Sequence, residues 1–236
     1  TMNHRCLPAN GTGLPFDRRS RDLVEIFLDQ DILLQPLAWR TPKRIFVCSQ
    51  TDLFGEWVPD VIIDRVFGLI AMAPQHTFQV LTKHPDRMRA YWEAKKLPSP
   101  LPNLWLGTSV EDQARADLRI PDLLRTRAVL HFLSCEPLLG LIRPTPGLWN
   151  YAWSFNPWEE DSRIGWVIAG GESGPGARPM HREWIRTIRD HCPSERVPFF
   201  FQQWGEWAPS VNLQHMTEGG RPTGKTPAGR LLDGPR

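Results

Sequence analysis

Leu104-Trp105-Leu106-Gly107-Thr108-Ser109 and Val129-Leu130-His131-Phe132-Leu133-Ser134 are two short apolar runs that each stop abruptly in hydroxyl-bearing residues. Between them, Ser109-x-x-Asp112 makes an N-cap arrangement that opens a helical pattern from Glu111 to Leu124. Run, helix and run within about 30 residues is the size of a βαβ unit. Runs this continuously apolar read as strands covered on both faces, as in a parallel sheet.

The same rhythm extends outward from this unit. Upstream lie Ile45-Phe46-Val47-Cys48-Ser49 and Phe78-Gln79-Val80-Leu81-Thr82; downstream lie Trp166-Val167-Ile168-Ala169-Gly170 and Val197-Pro198-Phe199-Phe200-Phe201-Gln202. Helical patterns separate them. After Pro59-Asp60, the stretch Val61 to Met72 places Ile62, Ile63, Val66, Phe67 and Ile70 on one face. Pro85 suits a first helical position before Asp86 to Lys96. His181 to His191 carries Trp184, Ile185 and Ile188 on one side. Repeated βα units build either a doubly wound sheet or a barrel.

The chain has 236 residues, one large domain's worth, with 41% hydrophobic and 23% charged residues, an ordinary globular composition. A net charge of +2 excludes a global polycation that holds nucleic acid by bulk charge, but not a local basic patch. Of the 28 cations 23 are Arg, a bias that a GC-rich genome explains as readily as anion binding. Eleven Trp and 23 Pro indicate a rigid, aromatic-rich body with sharply ended elements. Cys6, Cys48, Cys135 and Cys192 have neither C-x-x-C nor zinc-finger spacing and read as reduced thiols. No apolar run approaches the ~18 residues that span a bilayer, and no signal-peptide pattern is present. A soluble cytoplasmic protein without a membrane partner is expected.

Residues 1–208 are expected to form a single βα-repeat domain with an irregular N-terminal stretch. A Pro-rich excursion spans 137–163, and 209–236 reads as a loop-rich tail.

Ligands of parallel βα folds bind where the strands end, because loops and helix N-termini converge there. Every strand end here delivers polar groups. Ser49 and Asp52 follow the first run, Thr82 and Lys83 the second, and Ser109 and Glu111 the third. Ser134, Cys135 and Glu136 follow the fourth. The fifth leads into Gly170-Gly171-Glu172-Ser173-Gly174-Pro175-Gly176-Ala177-Arg178, and the sixth into Gln202-Gln203-Trp204-Gly205-Glu206-Trp207.

The glycine-rich stretch is neither a P-loop nor a G-x-G-x-x-G fingerprint. Its Gly170 and Gly171 allow close backbone approach to an anion, with Arg178 as countercharge; a tight turn with a solvated arginine is the competing account. A carboxylate after a buried strand is costly unless paired or functional. Glu136 is therefore either catalytic or held in an ion pair with Lys83 or an arginine. Cys135 reads as a small buried hydrophobe, with a reactive thiol beside the cleft as the alternative. Gln203 and Trp204 are groups that hydrogen-bond and stack on a base, with core packing of Trp204 and Trp207 as the alternative. His84 and His131 read as satisfied structural residues, and no triad is suggested.

Several of these blocks carry a resemblance. Pro42-x-Arg44-Ile45-Phe46-Val47 through Thr51-Asp52-Leu53-Phe54, Phe78 to Lys83, Trp105 to Asp112, Ser134-Cys135-Glu136-Pro137-Leu138-Leu139-Gly140, Gly170 to Arg178, Phe199 to Trp207 and Gly229-Arg230-Leu231-Leu232-Asp233-Gly234 occur in order. From about Leu34 onward the chain resembles the phage-associated family called domain of unknown function 5131, the three-Cys-motif phage proteins, which look like radical S-adenosylmethionine proteins.

The resemblance implies an α/β fold, a partial TIM-like (β/α) barrel with parallel strands. It also implies a [4Fe–4S] cluster and S-adenosylmethionine in a full-length parent; the Arg and Trp at the strand ends, with the phage context, point to a nucleic acid or nucleotide substrate. The family's C-x-x-C-Y-A-E motif is absent here, while Thr1-Met2 through Arg5 resembles the stretch that follows it. The expectation is a chain missing its first strand and cluster motif, which binds neither cofactor stably and is itself inactive. Cys6 lies outside the motif and inherits no ligand role.

Under this reading Glu136, Lys83 and Glu172 are the candidate catalytic residues. Ser49, Asp52, Gly170, Gly171, Ser173 and Arg178 are candidate cofactor contacts, and Gln203, Trp204 and Glu111 candidate substrate contacts, with no metal ligand assigned. The alternatives are a non-catalytic nucleic-acid-binding module and a metal-free barrel lyase or hydrolase.

Overall fold

Alternate residues of each apolar run are buried against helices, and this alternation sets the architecture. The computed structural model describes residues 27–49, 51–95, 100–144, 150–151, 162–208 and 221–222. In chain order the elements are α1 (Gln30–Ala38), β1 (Arg44–Val47), α2 (Asp60–Met72), β2 (Thr77–Thr82), α3 (Pro85–Lys95), β3 (Leu104–Ser109) and α4 (Gln113–Leu124). There follow β4 (Leu130–Cys135), β5 (Asn150–Tyr151), β6 (Ser162–Ala169), α5 (Arg182–His191), β7 (Phe199–Phe201), β8 (Trp207–Ala208) and β9 (Arg221–Pro222).

Strands β1, β2, β3, β4, β6 and β7 lie side by side in that order and are all parallel. A doubly wound sheet reverses its strand order at a switch point. This sheet never reverses, and it curls into a half-barrel, the partial TIM-like barrel expected. β5 adds antiparallel to β6, and β8 pairs with β9 apart from the main sheet.

The six main strands fall on the six expected runs, with ends shifted by a few residues. Helix α3 begins at Pro85, and Asp112 caps α4 by accepting a hydrogen bond from the Arg115 N–H at 2.9 Å. Helix α1 stands before β1, where the sequence pattern points to no helix. Asp29 caps α1, accepting from the Ile32 N–H at 3.0 Å, and Pro36 lies inside it. His76 ties α1 to the sheet. Its Nδ1 accepts from the Lys43 N–H at 3.1 Å, so the Nε2–H donates to the Pro36 carbonyl at 2.8 Å.

The core lies between the convex face of the sheet and the helices. Phe78, Val80, Leu104, Leu106, Leu133, Cys135, Ile164, Val167 and Ala169 meet Ile63, Phe67, Ile70, Met88, Ile120, Leu123, Ile185 and Ile188 there. Asn103 reaches in and donates to the Ile70 and Ala73 carbonyls at 2.9 and 3.0 Å, closing the end of α2.

The other face departs from the expectation of two-sided cover. The register sets Phe46, Gln79 and Trp105 in one row, and Gly107, Phe132 and Trp166 in another, with Ile168 beside Phe200. Phe46 and Phe200 remain 44% and 45% exposed, and Trp105, Trp166, Leu81 and Ile168 are half-buried. Among the described residues the half-barrel has no opposite wall, so they do not close its concave face the way a full barrel's interior is closed.

The tail read at 209–236 lies outside the described residues except for 221–222, as does much of the 137–163 excursion. Among the described residues, no helix is long and apolar enough to cross a membrane.

Candidate functional site

The loops after the parallel strands gather at one rim of the half-barrel. Between the ends of β1, β2 and β3 the rim opens into a cleft of about 250 Å³. Phe46 and Leu81 line it with apolar surface, and Cys48, Ser49, Thr51, Asp52, Thr82, Lys83 and Ser109 complete the lining. Apolar surface with a few convergent polar groups is the usual make-up of a small-molecule site, and this volume lies just under the ~300 Å³ at which such pockets commonly begin.

Asp52 acts as a strut across the cleft wall. One carboxylate oxygen accepts from the Phe54 N–H at 3.0 Å and the Thr82 hydroxyl at 2.7 Å, and the other from the Lys83 N–H at 2.7 Å. Thr82 Oγ1 in turn accepts from the His84 N–H at 2.9 Å. The β1 and β2 loops are thereby locked together, and the Lys83 side chain is aimed over the rim. Cys48, at φ 56°, turns the chain out of β1; burial, then the nearby Asp52 charge, pushes its thiol up to about 11.

Lys83 does not pair with Glu136. Its ammonium lies 3.1 Å from Glu111 Oε1, and the Arg119 guanidinium lies 2.8 Å from Glu111 Oε2. The same Arg119 nitrogen donates to the Ser109 carbonyl at 2.8 Å. The Glu111 side chain is 11% exposed and Lys83 is 54% exposed. One carboxylate shared by two cations leaves a positive charge over, and its more exposed bearer is Lys83. Arg119 went unrecognised in the sequence because it sits eight residues after Glu111, beyond a turn of helix; i to i+4 charge patterns do not register it.

Glu136 follows β4 on the far side of the rim. Burial raises its carboxyl above the ordinary range, partly offset by a hydrogen bond from the Gln203 side chain. It sits so close to the backbone after β6 that a methyl group on Gly170 would lie 3.1 Å from its Oε1. A carboxyl raised in this way holds its proton to higher pH than a solvated one, the property a general acid needs.

The glycine-rich stretch is built against the next loop. A side chain on Gly171 would fall 1.9 Å from the Trp204 carbonyl oxygen, and one on Gly205, at φ +80°, 2.1 Å from the Glu172 carbonyl oxygen. The Gly171 N–H donates to the Gln203 carbonyl at 2.9 Å, and the Glu206 N–H to the Glu172 carbonyl at 2.8 Å. The Glu172 carboxylate takes two bonds from the Arg178 guanidinium, at 2.8 and 2.7 Å, and one from its N–H at 2.8 Å. These contacts hold the Glu172 carboxyl down at about 2. Ser173 accepts from Gln203 Nε2 at 2.9 Å.

Thus Ser49, Asp52, Lys83 and Glu111 gather around the cleft, while Glu136, Gly170 and Gln203 form a second group. Glu172, Ser173 and Arg178 stand on the outer turn. Trp204 is buried and packs on Phe201 at 5.1 Å between ring centroids, and Trp207 donates to the Ala177 carbonyl at 2.6 Å. His131 is buried, with a 2.7 Å bond from its Nε2 to the Thr126 carbonyl, and burial lowers its pKa to about 4.

A [4Fe–4S] cluster needs three converging thiolates. Among the described residues Cys48, Cys135 and Cys192 do not converge, and no group of three or more His, Cys, Asp and Glu is placed to hold a metal ion. Cys135 and Cys192 are buried, which pushes the Cys192 thiol up to about 12 and the Cys135 thiol further. These three cysteines do not fit a cluster. Cys6 lies outside the described residues.

The family described as protein of unknown function (DUF5131) matches residues 1–236, a wider span than the blocks from about Leu34 onward. No curated protein and no solved structure matches the chain.

Proposed function

The chain belongs to the DUF5131 family, and from that premise we propose that its half-barrel binds a nucleoside-bearing ligand at the strand-end cleft and acts on a nucleotide or nucleic acid. The observation that carries this reading is the cleft between β1, β2 and β3. It offers an aromatic surface in Phe46, hydroxyls in Ser49, Thr51 and Ser109, and an exposed ammonium in Lys83. An aromatic ring suits the flat face of a base, hydroxyls suit a ribose, and a cation suits a phosphate or carboxylate.

The adenosyl group of S-adenosylmethionine and a substrate nucleotide share that chemistry. We infer from the family resemblance a phage association and a cytoplasmic setting, and assign no radical step to Cys48, Cys135 and Cys192, which do not fit a cluster. Glu136 is the acid-base candidate, and Lys83, positioned by Glu111 and Arg119, the anion-binding one.

Ligand-observed saturation-transfer NMR with adenosine, adenosine monophosphate and S-adenosylmethionine tests the reading. Phe46→Ala is expected to weaken all three, and Lys83→Met to weaken the monophosphate more than adenosine. Absence of transfer to any of them at millimolar ligand, or transfer untouched by Phe46→Ala, overturns it.

A further inference from the structure

We propose that the concave face of the half-barrel is a stacking platform for the unpaired bases of a single-stranded nucleic acid, so that the ligand at the cleft is one nucleotide of a longer strand. The inference rests on the nucleotide reading of the cleft and names its substrate class.

The platform follows from the register. Phe46 on β1, Trp105 on β3, Trp166 on β6 and Phe200 on β7 all project from the face opposite the helices. Phe46 and Trp105 share one row of the register, Trp166 lies in the next and Phe200 in the one after, so the rings step along the strands as they cross the sheet, and five inter-strand steps of about 4.8 Å separate β1 from β7. Trp105 and Trp166 meet edge to face at 6.1 Å, and Phe132 underlies them, its ring filling the space above Gly107. Without a side chain, Gly107 lets these rings lie low on the sheet. Every base has a π-face, so a row of partly exposed aromatic rings accepts successive bases with little regard to sequence.

Charge on this face fits a polyanion. Strand alternation sets Arg44 on the concave side with Phe46, and Arg163 there too, opposite the core-facing Ile164; both are exposed, and Lys83 closes the rim at the cleft. Three acids of the rim are already occupied, and Glu136, on its far side, takes a hydrogen bond from Gln203. Asp52 accepts three hydrogen bonds, Glu111 is held by Lys83 and Arg119, and Glu172 by Arg178. A double helix is a poor fit for such a face, because its bases are stacked on one another and expose edges rather than rings.

Fluorescence anisotropy with a labelled deoxythymidine oligomer of about twelve nucleotides, within the usual site size, tests the proposal. The oligomer is expected to bind more tightly than thymidine monophosphate and than a duplex of equal length. Phe200→Ala, far from the cleft and exposed enough to leave the fold intact, should weaken the oligomer about five-fold or more and leave the mononucleotide unchanged. With three phosphate contacts, log K should fall against log salt with a slope of about −2.

Mononucleotide binding without any gain for the oligomer overturns the platform and leaves the cleft reading standing. Oligomer and duplex binding alike, indifferent to Phe200→Ala, means attraction by charge alone and also overturns it. If neither mononucleotide nor oligomer binds, both readings fall.

Discussion

Replacing Gly171 by Ala tests whether the loops after β6 and β7 are joined back to back. The new methyl would sit 1.9 Å from the Trp204 carbonyl oxygen and 2.6 Å from its carbon. Both are backbone atoms, so no rotamer change relieves the overlap and the two loops must separate. Separation breaks the 2.9 Å bond from the Gly171 N–H to the Gln203 carbonyl and strains the 2.8 Å bond from Glu206 to Glu172. At about 1 kcal/mol for each bond, and more for a buried group left unsatisfied, the loss is about 2–4 kcal/mol. For a chain of this size that lowers Tm by roughly 4–16 °C. Urea unfolding followed by circular dichroism reads the free energy directly, and calorimetry the Tm. Gly68→Ala is the control. It lies in the middle of α2 with nothing within 4 Å of the added methyl, so the better helix former should stabilise by about 1 kcal/mol. Gly171→Ala unfolding within 0.5 kcal/mol of the parent would refute the joined-loop account.

The remaining predictions concern charge. Glu111→Gln strands the largely buried Arg119 with only the Ser109 carbonyl, and should cost about 3 kcal/mol in urea unfolding, because one partner of a buried pair is removed. Glu172 has its pKa lowered in the folded state, so its contribution is present above about 4.5 and is lost as pH falls towards about 2; Arg178→Met should remove that acid limb from the stability profile. His131 is held neutral by burial, its pKa lowered from 6.5 to about 4, so the unfolded chain binds its proton first. Stability should fall by roughly 3 kcal/mol between pH 6.5 and 4, a slope that His131→Gln abolishes in pH-dependent urea melts.

The architecture was legible because burial against helices demands apolar side chains, and the six runs that meet this demand became the six parallel strands. What the runs concealed is which face stays open. Phe46 and Val47 look alike in sequence, yet Val47 packs on the core and Phe46 faces the concave side, where the described residues supply no opposite wall. Pro36 disguised α1, because a proline inside a short pattern reads as a break. At the rim, strand-end position is what the sequence offers, and Ser49, Asp52 and Lys83 lie at one cleft with Glu111 against Lys83. Pairing was harder: Lys83 takes Glu111 rather than Glu136, a choice set by loop geometry that spacing does not encode. Gly171 is a glycine because something approaches its backbone closely, and the sequence does not distinguish a ligand from the Trp204 carbonyl. Arg178 likewise carries the countercharge expected of it, but for Glu172.

The central claim, that the cleft between β1, β2 and β3 receives a nucleotide, is tested most directly by titrating adenosine monophosphate into isotope-labelled protein and mapping the amide shifts. The account predicts saturable shifts concentrated at Ser49, Thr51, Lys83 and Ser109, with α5 unmoved. Shifts confined to other parts of the molecule, or none at millimolar nucleotide, would contradict it.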